Sequence, residues 1–222
     1  MQEKTTPRFN FRSFFWDIGL DIVIVLVLVF FIRTFLFSPF RVHGPSMCDN
    51  FNVYNGECYN GDGEFLITSR LSTWNLFGWS PTQIDRGDVV VFVAPYTEEK
   101  EFYIKRVIGV PGDTIKVEDG FVYLKEGEEF VQLEETYLNE ENWGHTTPYR
   151  VDSQTFTVPD GEYFVLGDNR VKSSDARRCF RQLGCTGDSS PYISLDRIEG
   201  EVKLVIFPIS HFRWVSGFDY SF

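Results

Sequence analysis

The chain has 222 residues, of which 43% are hydrophobic and 17% aromatic, and its formal net charge is -11. That is enough apolar material for a core of ordinary domain size. The acidic balance excludes the clustered Lys and Arg of a nucleic-acid-binding face, so no nucleic acid partner is expected.

The first predicted element is the apolar run Ile18–Phe37, "IGLDIVIVLVLVFFIRTFLF", broken only by Asp21, Arg33 and Thr34. About 20 such residues cross the roughly 30 Å hydrocarbon layer of a bilayer. Asp21 and Arg33 lie near the two ends, where charged tips reach the headgroups. A cleaved leader needs small residues in an A-x-A-like pattern after its apolar core. The first alanine of this chain is Ala94, so the run reads as an uncleaved anchor. Lys4, Arg8 and Arg12 precede it, and the positive-inside rule places the N-terminus in the cytoplasm, although Arg33 and Arg41 follow. The expected organisation is a cytoplasmic segment at 1–16, a single-pass plasma-membrane anchor at 17–37 and an extracytoplasmic domain at 38–222. The lipid bilayer is thus an expected partner.

Beyond the anchor come short β-rich runs: "EFLITSRL", "DVVVFVAP", "EFYIKRVIGV", "TIKVEDGFVYL", "EYFVLGDN" and "EGEVKLVIFP". With turn residues between them they predict a mainly β, antiparallel domain. Gly-Asp recurs at 61–62, 87–88, 112–113, 167–168 and 187–188, which suits hairpin turns. Residues 126–150 are acidic and polar and read as insertion rather than core. A loop-rich insertion or second lobe is expected at about 114–162.

The four cysteines, Cys48, Cys58, Cys179 and Cys185, allow three connectivities. Pairs 48–58 and 179–185 close the smallest loops and suit an oxidising compartment. A zinc site is the rival reading, but neither pair has C-x-x-C spacing. No metal or cofactor is expected.

Ser46 lies in "HGPSMCDN". A serine becomes a nucleophile only when a neighbouring group takes its proton. The G-x-S-x-G elbow is absent. Of the three histidines, His43 is close in sequence, while His145 and His211 read as surface residues. The other candidate base is Lys105. Alternation along "EFYIKRVIGV" puts it between Tyr103 and Val107 on one strand face. An apolar setting favours the neutral amine, though a solvated lysine on an edge strand is the plainer reading. A third segment, "VLGDNRVKSSDAR" at 165–177, ends a β-run in a polar cluster.

The anchor followed by "SPFRVHGPSM", then "RGDVVVF", "YIKRVIGVPGD" and "GDNRVKSSDAR", resembles in composition and order the bacterial type I signal peptidases, membrane-anchored Ser–Lys proteases. The resemblance covers about residues 15–207. It implies a membrane-bound serine endopeptidase that removes signal peptides from exported preproteins and works as a monomer. Ser46 would be the nucleophile and Lys105 the general base. Ser173 would hydrogen-bond and orient the lysine, and Asp175 with Arg177 would form a structural ion pair. Gly167, Asp168 and Asn169 would shape the floor of the site. Phe40, Val42, Tyr103 and Ile104 would line shallow apolar pockets for the substrate. The pattern departs in three places. The family continues Ser-Met-x-Pro-Thr-Leu, whereas this chain reads "SMCDNF", with a longer loop that a Cys48–Cys58 bridge would stiffen. Ala176 stands where the family has serine, and Gly44 where some members place an oxyanion-binding serine. The alternative readings are Cys48 acting with His43, a self-cleaving Ser–Lys protease, and a catalytically degraded, anchored β-domain that binds partners.

Overall fold

The computed structural model describes residues 11–74, 81–96, 100–181, 184–187 and 189–220, with side chains from Phe14 onward. Lys4 and Arg8, on which the expected orientation rests, lie outside that set, as do Asp188 and the side chain of Arg12. The chain forms two compact units, Met1–Leu36 and Phe37–Phe222.

The first unit is one helix, α1 (Phe11–Phe31), continued by a π-helical stretch over Ile32–Leu36. Nothing in "FRSFFWD" breaks a helix, so it starts earlier than the expected anchor boundary at 17. Phe37, expected as the last anchor residue, instead opens a strand by pairing with Ser69, and Pro39 keeps the residue before it, Ser38, extended. Phe15, Trp16, Leu26 and Phe30 are all exposed, so no single face is apolar; the whole surface is. Phe14–Leu36 is long and apolar enough to cross a membrane.

The second unit is built from short strands: β1 (Phe37–His43), β2 (Val53–Tyr54), β3 (Glu57–Cys58), β4 (Asp62–Ser69) and β5 (Val89–Val93). Then follow β6 (Phe102–Gly109), β7 (Thr114–Glu118), β8 (Phe121–Glu126), β9 (Glu129–Gln132), β10 (Ser153–Thr157) and β11 (Glu162–Leu166). The last are β12 (Ile193–Ser194), β13 (Ile198–Phe207) and β14 (Arg213–Trp214). Every predicted β-rich run carries a strand. The turn between β7 and β8 has φ 51° at Asp119 and 88° at Gly120, the pair of left-handed residues a tight hairpin needs.

All pairing is antiparallel. The main sheet runs β1-β4-β13-β5-β6-β11-β12, with β14 added to β13. A second sheet runs β10-β7-β8-β9, and β2–β3 is a separate hairpin. Three strands separate β1 from β6, so a flat sheet would hold them about 19 Å apart. Yet the Phe40 and Phe102 rings lie 5.0 Å from each other. The main sheet therefore curls, and β1 and β6 face each other across a groove. Val42, Met47, Phe51, Leu66, Val91 and Ile104 fill the concave side. A larger core, including Val90, Phe92, Ile115, Val122 and Phe164, joins the opposite side to the second sheet.

The polar stretch 126–150 is not simply insertion: Leu133, Glu135, Asn142 and Thr146 are all buried in it. The reason is electrostatic. Glu135 meets the guanidinium of Arg170 with hydrogen bonds of 2.8 and 2.5 Å, and both side chains are enclosed. A polar sequence reads as surface only until its partner is known.

Candidate active site

Ser46 sits on the turn that leaves β1. The Cys48 N–H donates to Pro45 O at 3.0 Å and the Phe51 N–H to Met47 O at 2.9 Å, closing the turn. Met47, fully buried among Val42, Leu66 and Val202, pins it to the core. The Asn169 N–H donates to Ser46 O at 3.1 Å, so the Gly167-Asp168-Asn169 segment lies directly beside the serine. Only glycine fits at 167. A Cβ there would come within 2.2 Å of Ser173 Oγ and 2.5 Å of Ser46 O.

Lys105 reaches the same point from β6. Its Nζ lies 2.8 Å from Ser46 Oγ and donates to Ile104 O at 2.7 Å. The Tyr103 ring is 5.5 Å from the nitrogen. Lys105 is 3% exposed, which excludes the solvated edge-strand reading. Burial drives its pKa down to about 8, against the opposing charges of Asp175 and Asp168.

Around this pair the polar groups are satisfied by one another. Arg106 grips Asp168 through two hydrogen bonds of 2.9 and 2.7 Å and reaches Gly87 O at 2.8 Å. Asn50 Nδ2 donates to Asp168 Oδ2 at 2.8 Å, tying the serine turn to the same carboxylate. Arg177 holds Asp175 through two contacts of 2.9 Å, and the Gly167 N–H donates to Asp175 at 3.1 Å. Burial pushes Asp175 upward, but Arg177 and these hydrogen bonds outweigh it and keep the carboxyl below its usual range.

Ser173 behaves differently from the expectation. It is buried, its N–H donates to Asn169 O at 2.9 Å, and its hydroxyl lies toward Asp175, helping to lower that carboxyl's pKa. The expected hydrogen bond from Ser173 to Lys105 is not formed; the hydroxyl lies beside Gly167 and Asp175 instead.

His43 lines the rim of the groove but bonds Asp62 at 2.8 Å rather than Ser46, with its side chain 74% exposed. His211 is not the surface residue expected from sequence. It bonds the buried Glu64 at 2.9 Å, as does Arg213 at 2.7 Å. Nothing in the local sequence signals a carboxylate 147 positions away.

The cysteines form two disulfides, Cys48–Cys58 and Cys179–Cys185. Cys48 is therefore no free thiol, which removes it as a nucleophile and removes zinc as the reason for the cysteines.

Phe40, Val42, Tyr103 and Ile104 all line the groove beside Ser46 and Lys105, a cavity of about 170 Å³. The structure adds Arg41, His43, Leu66, Val91, Phe102 and Ser174, which sequence reasoning did not place there. For Phe102, Leu66 and Val91 the available signal was the alternation of their strands. Both walls end in free strand edges. β1 pairs only with β4, and among the described residues no strand pairs with the second side of Phe102–Lys105, since β11 pairs from Arg106 onward.

Known proteins share this arrangement of segments. The family described as "Signal peptidase, peptidase S26" matches residues 15–207. Signal peptidase I T of Bacillus subtilis strain 168 is 34% identical over 215 residues, covering 95% of this chain and 94% of that protein. Signal peptidase I of Bacillus licheniformis is 33% identical over 215 residues, covering 96% and 97%. A solved signal peptidase I from Enterococcus faecalis V583 is 29% identical and covers 55% of this chain and 98% of its own, with a TM-score of 0.38, too low to bear on the fold. By the length and identity of these matches, the chain belongs to the signal peptidase family, peptidase S26.

Proposed function

We propose that this peptidase is a membrane-anchored serine endopeptidase that removes signal peptides from exported preproteins, with Ser46 as nucleophile and Lys105 as general base. The carrying observation is the 2.8 Å contact between Ser46 Oγ and a lysine that burial has brought to a pKa of about 8. One amine takes the place of an imidazole and its carboxylate. Neutral Lys105 accepts the Ser46 proton as Oγ attacks the scissile carbonyl, then delivers it to the leaving amine. Water, deprotonated by the same amine, resolves the acyl-enzyme. Backbone N–H groups, including that of Ser46, are the donors for the oxyanion.

The groove supports the choice of substrate. A cavity of about 170 Å³ with apolar walls takes small side chains next to the cleaved bond. An extended peptide adds to the free edges of β1 and of Phe102–Lys105 by main-chain hydrogen bonds, which need no particular sequence. The apolar helix Phe14–Leu36 anchors the chain at the plasma membrane, N-terminus inside and residues 38–222 outside, where the ends of signal peptides emerge. The β7–β10 sheet lies within this same outer domain as its second lobe. The enzyme works as a monomer. Incubation of the purified protein with a preprotein tests the reading. Cleavage by wild type and none by Ser46→Ala or Lys105→Ala is expected; a folded wild type that cleaves no preprotein leaves only a binding role.

A further inference from the structure

The serine turn is fastened by a residue that neither the dyad nor the groove uses. Asp49, three positions after Ser46, has φ 105°, a region that side chains rarely occupy. Such a conformation persists only where its surroundings hold it. Here the carboxylate is held by the segment between β9 and β10. Oδ1 accepts from Asn139 Nδ2 at 2.5 Å, and Oδ2 accepts from Asn142 Nδ2 at 2.8 Å and from the Asn139 N–H at 3.3 Å.

The two asparagines are themselves fixed. Asn139 Oδ1 accepts from the N–H groups of Glu141 and Asn142 at 2.9 and 3.1 Å. Asn142 is 2% exposed, and its Oδ1 accepts from the Val171 N–H at 3.3 Å. Val171 lies two residues after Asn169, whose N–H donates to Ser46 O. The connections close a ring: Ser46 turn, Asp49, Asn142, Val171, Asn169 and back to Ser46. Next to Asp49 the Cys48–Cys58 bridge restrains the same turn from its other side. Proline, confined to φ near -65°, cannot take up the conformation seen at 49. The turn of this chain therefore needs a different restraint, and a carboxylate met by amide donors supplies one.

We propose that Asp49 is a positioning residue of the reaction: its carboxylate latches the Ser46 turn onto the Asn139–Asn142 loop and thereby holds the hydroxyl in front of Lys105. The proposal rests on the reading of Ser46 as nucleophile, and the test separates the two.

kcat and KM for preprotein cleavage are measured on the full chain and on five variants: Ser46→Ala, Asp49→Gly, Asp49→Asn, Asn142→Asp and the exchange Asp49→Asn with Asn142→Asp. Glycine adopts φ 105° freely, so it removes the latch without strain. Misplacing a reacting group by about 1 Å costs on the order of a hundredfold, so kcat should fall about ten- to hundredfold with KM little changed. Asp49→Asn replaces one of two acceptor oxygens with a donor facing asparagine donors, and Asn142→Asp sets a carboxylate against both Asp49 and Asn139 Oδ1, so each single variant should lose kcat. The exchange restores the donor–acceptor pair between 49 and 142 but turns the new carboxylate toward Asn139 Oδ1, which accepts from Asn142 Nδ2 at 3.2 Å, so it should recover part of what Asn142→Asp loses. A purely structural role would lower the folded fraction and leave kcat per folded enzyme unchanged. Wild-type kcat in a folded Asp49→Gly enzyme overturns the latch while Ser46→Ala remains inactive. An exchange no more active than Asn142→Asp in folded protein overturns it as well, and decides the matter should Asp49→Gly not fold. Activity in Ser46→Ala would sink the nucleophile reading instead.

Discussion

Two neighbours on β6 meet opposite fates. Lys105 and Arg106 are both cationic by type, both buried, and turned to opposite faces of one strand. Arg106 faces Asp168 and is matched by it at 2.9 and 2.7 Å. Lys105 faces the groove, where it finds a hydroxyl and a carbonyl but no carboxylate within contact. Burial presses both toward the neutral form. For Arg106 the adjacent Asp168 more than offsets this and raises its pKa above the usual value, whereas Lys105 falls to about 8. Burial alone does not make a base. Burial without a counter-charge in contact lowers an amine's pKa, and the next residue shows the same strand being used for structure when the counter-charge is supplied.

The largest expected effect breaks the groove side. Ser46→Ala and Lys105→Ala should each abolish preprotein cleavage, and the double variant should be little worse than either single, because the two act as a unit. An active Lys105→Ala enzyme would refute the assignment.

Next is the ion-pair side. Asp168→Ala leaves the Arg106 guanidinium enclosed and unpaired, which should destabilise the fold by about 3–5 kcal/mol. Denaturant unfolding measures it; a loss near zero would mean that Asp168 matters little to the fold.

A third experiment sharpens the contrast, since Lys105 should cost stability where Arg106–Asp168 does not. Its pKa in the fold is about 8 and its ordinary value 10.5. Below pH 8 the amine is charged both folded and unfolded, and the whole burial penalty, on the order of 3 kcal/mol, is present. Between pH 8 and 10.5 the folded state releases the proton first and the penalty fades. Lys105→Met should therefore be more stable than wild type at pH 7 and lose that advantage by pH 10.5. In wild type, kcat/KM should rise tenfold per pH unit from acid and level off near pH 8, where the amine is neutral. An acid limb centred near 6.5 and removed by a histidine substitution would point to imidazole instead.

Smaller effects belong to the flanks. Opening Cys48–Cys58, whose cysteines are 10 positions apart, should cost about 3 kcal/mol by loop entropy, with reduced but not abolished cleavage. His43→Ala should keep substantial activity, since its exposed ring bonds Asp62 and not Ser46.

Much of this was legible in the sequence because it is carried by local pattern. The apolar run and the period-2 runs fixed one membrane-length helix and a mainly β antiparallel domain, since side-chain periodicity and turn residues act over a few positions. Ser46, Lys105 and the 167–177 cluster were legible only in combination, through their order along the chain. Each alone is an ordinary serine, lysine or polar turn.

What the sequence could not decide is what meets across distance. That Glu135 is a core residue depends on Arg170, that His211 is partnered depends on Glu64, and that Asp49 bears a restraint depends on Asn139 and Asn142. None of these pairs is near in sequence, so periodicity is silent about them. The Lys105 pKa is of the same kind. A strand pattern names its neighbours on one face, but only the curl of the sheet, which brings β1 against β6, removes water from that amine and withholds a carboxylate. Local chemistry set the elements; desolvation, which depends on the whole fold, set the chemistry of the site.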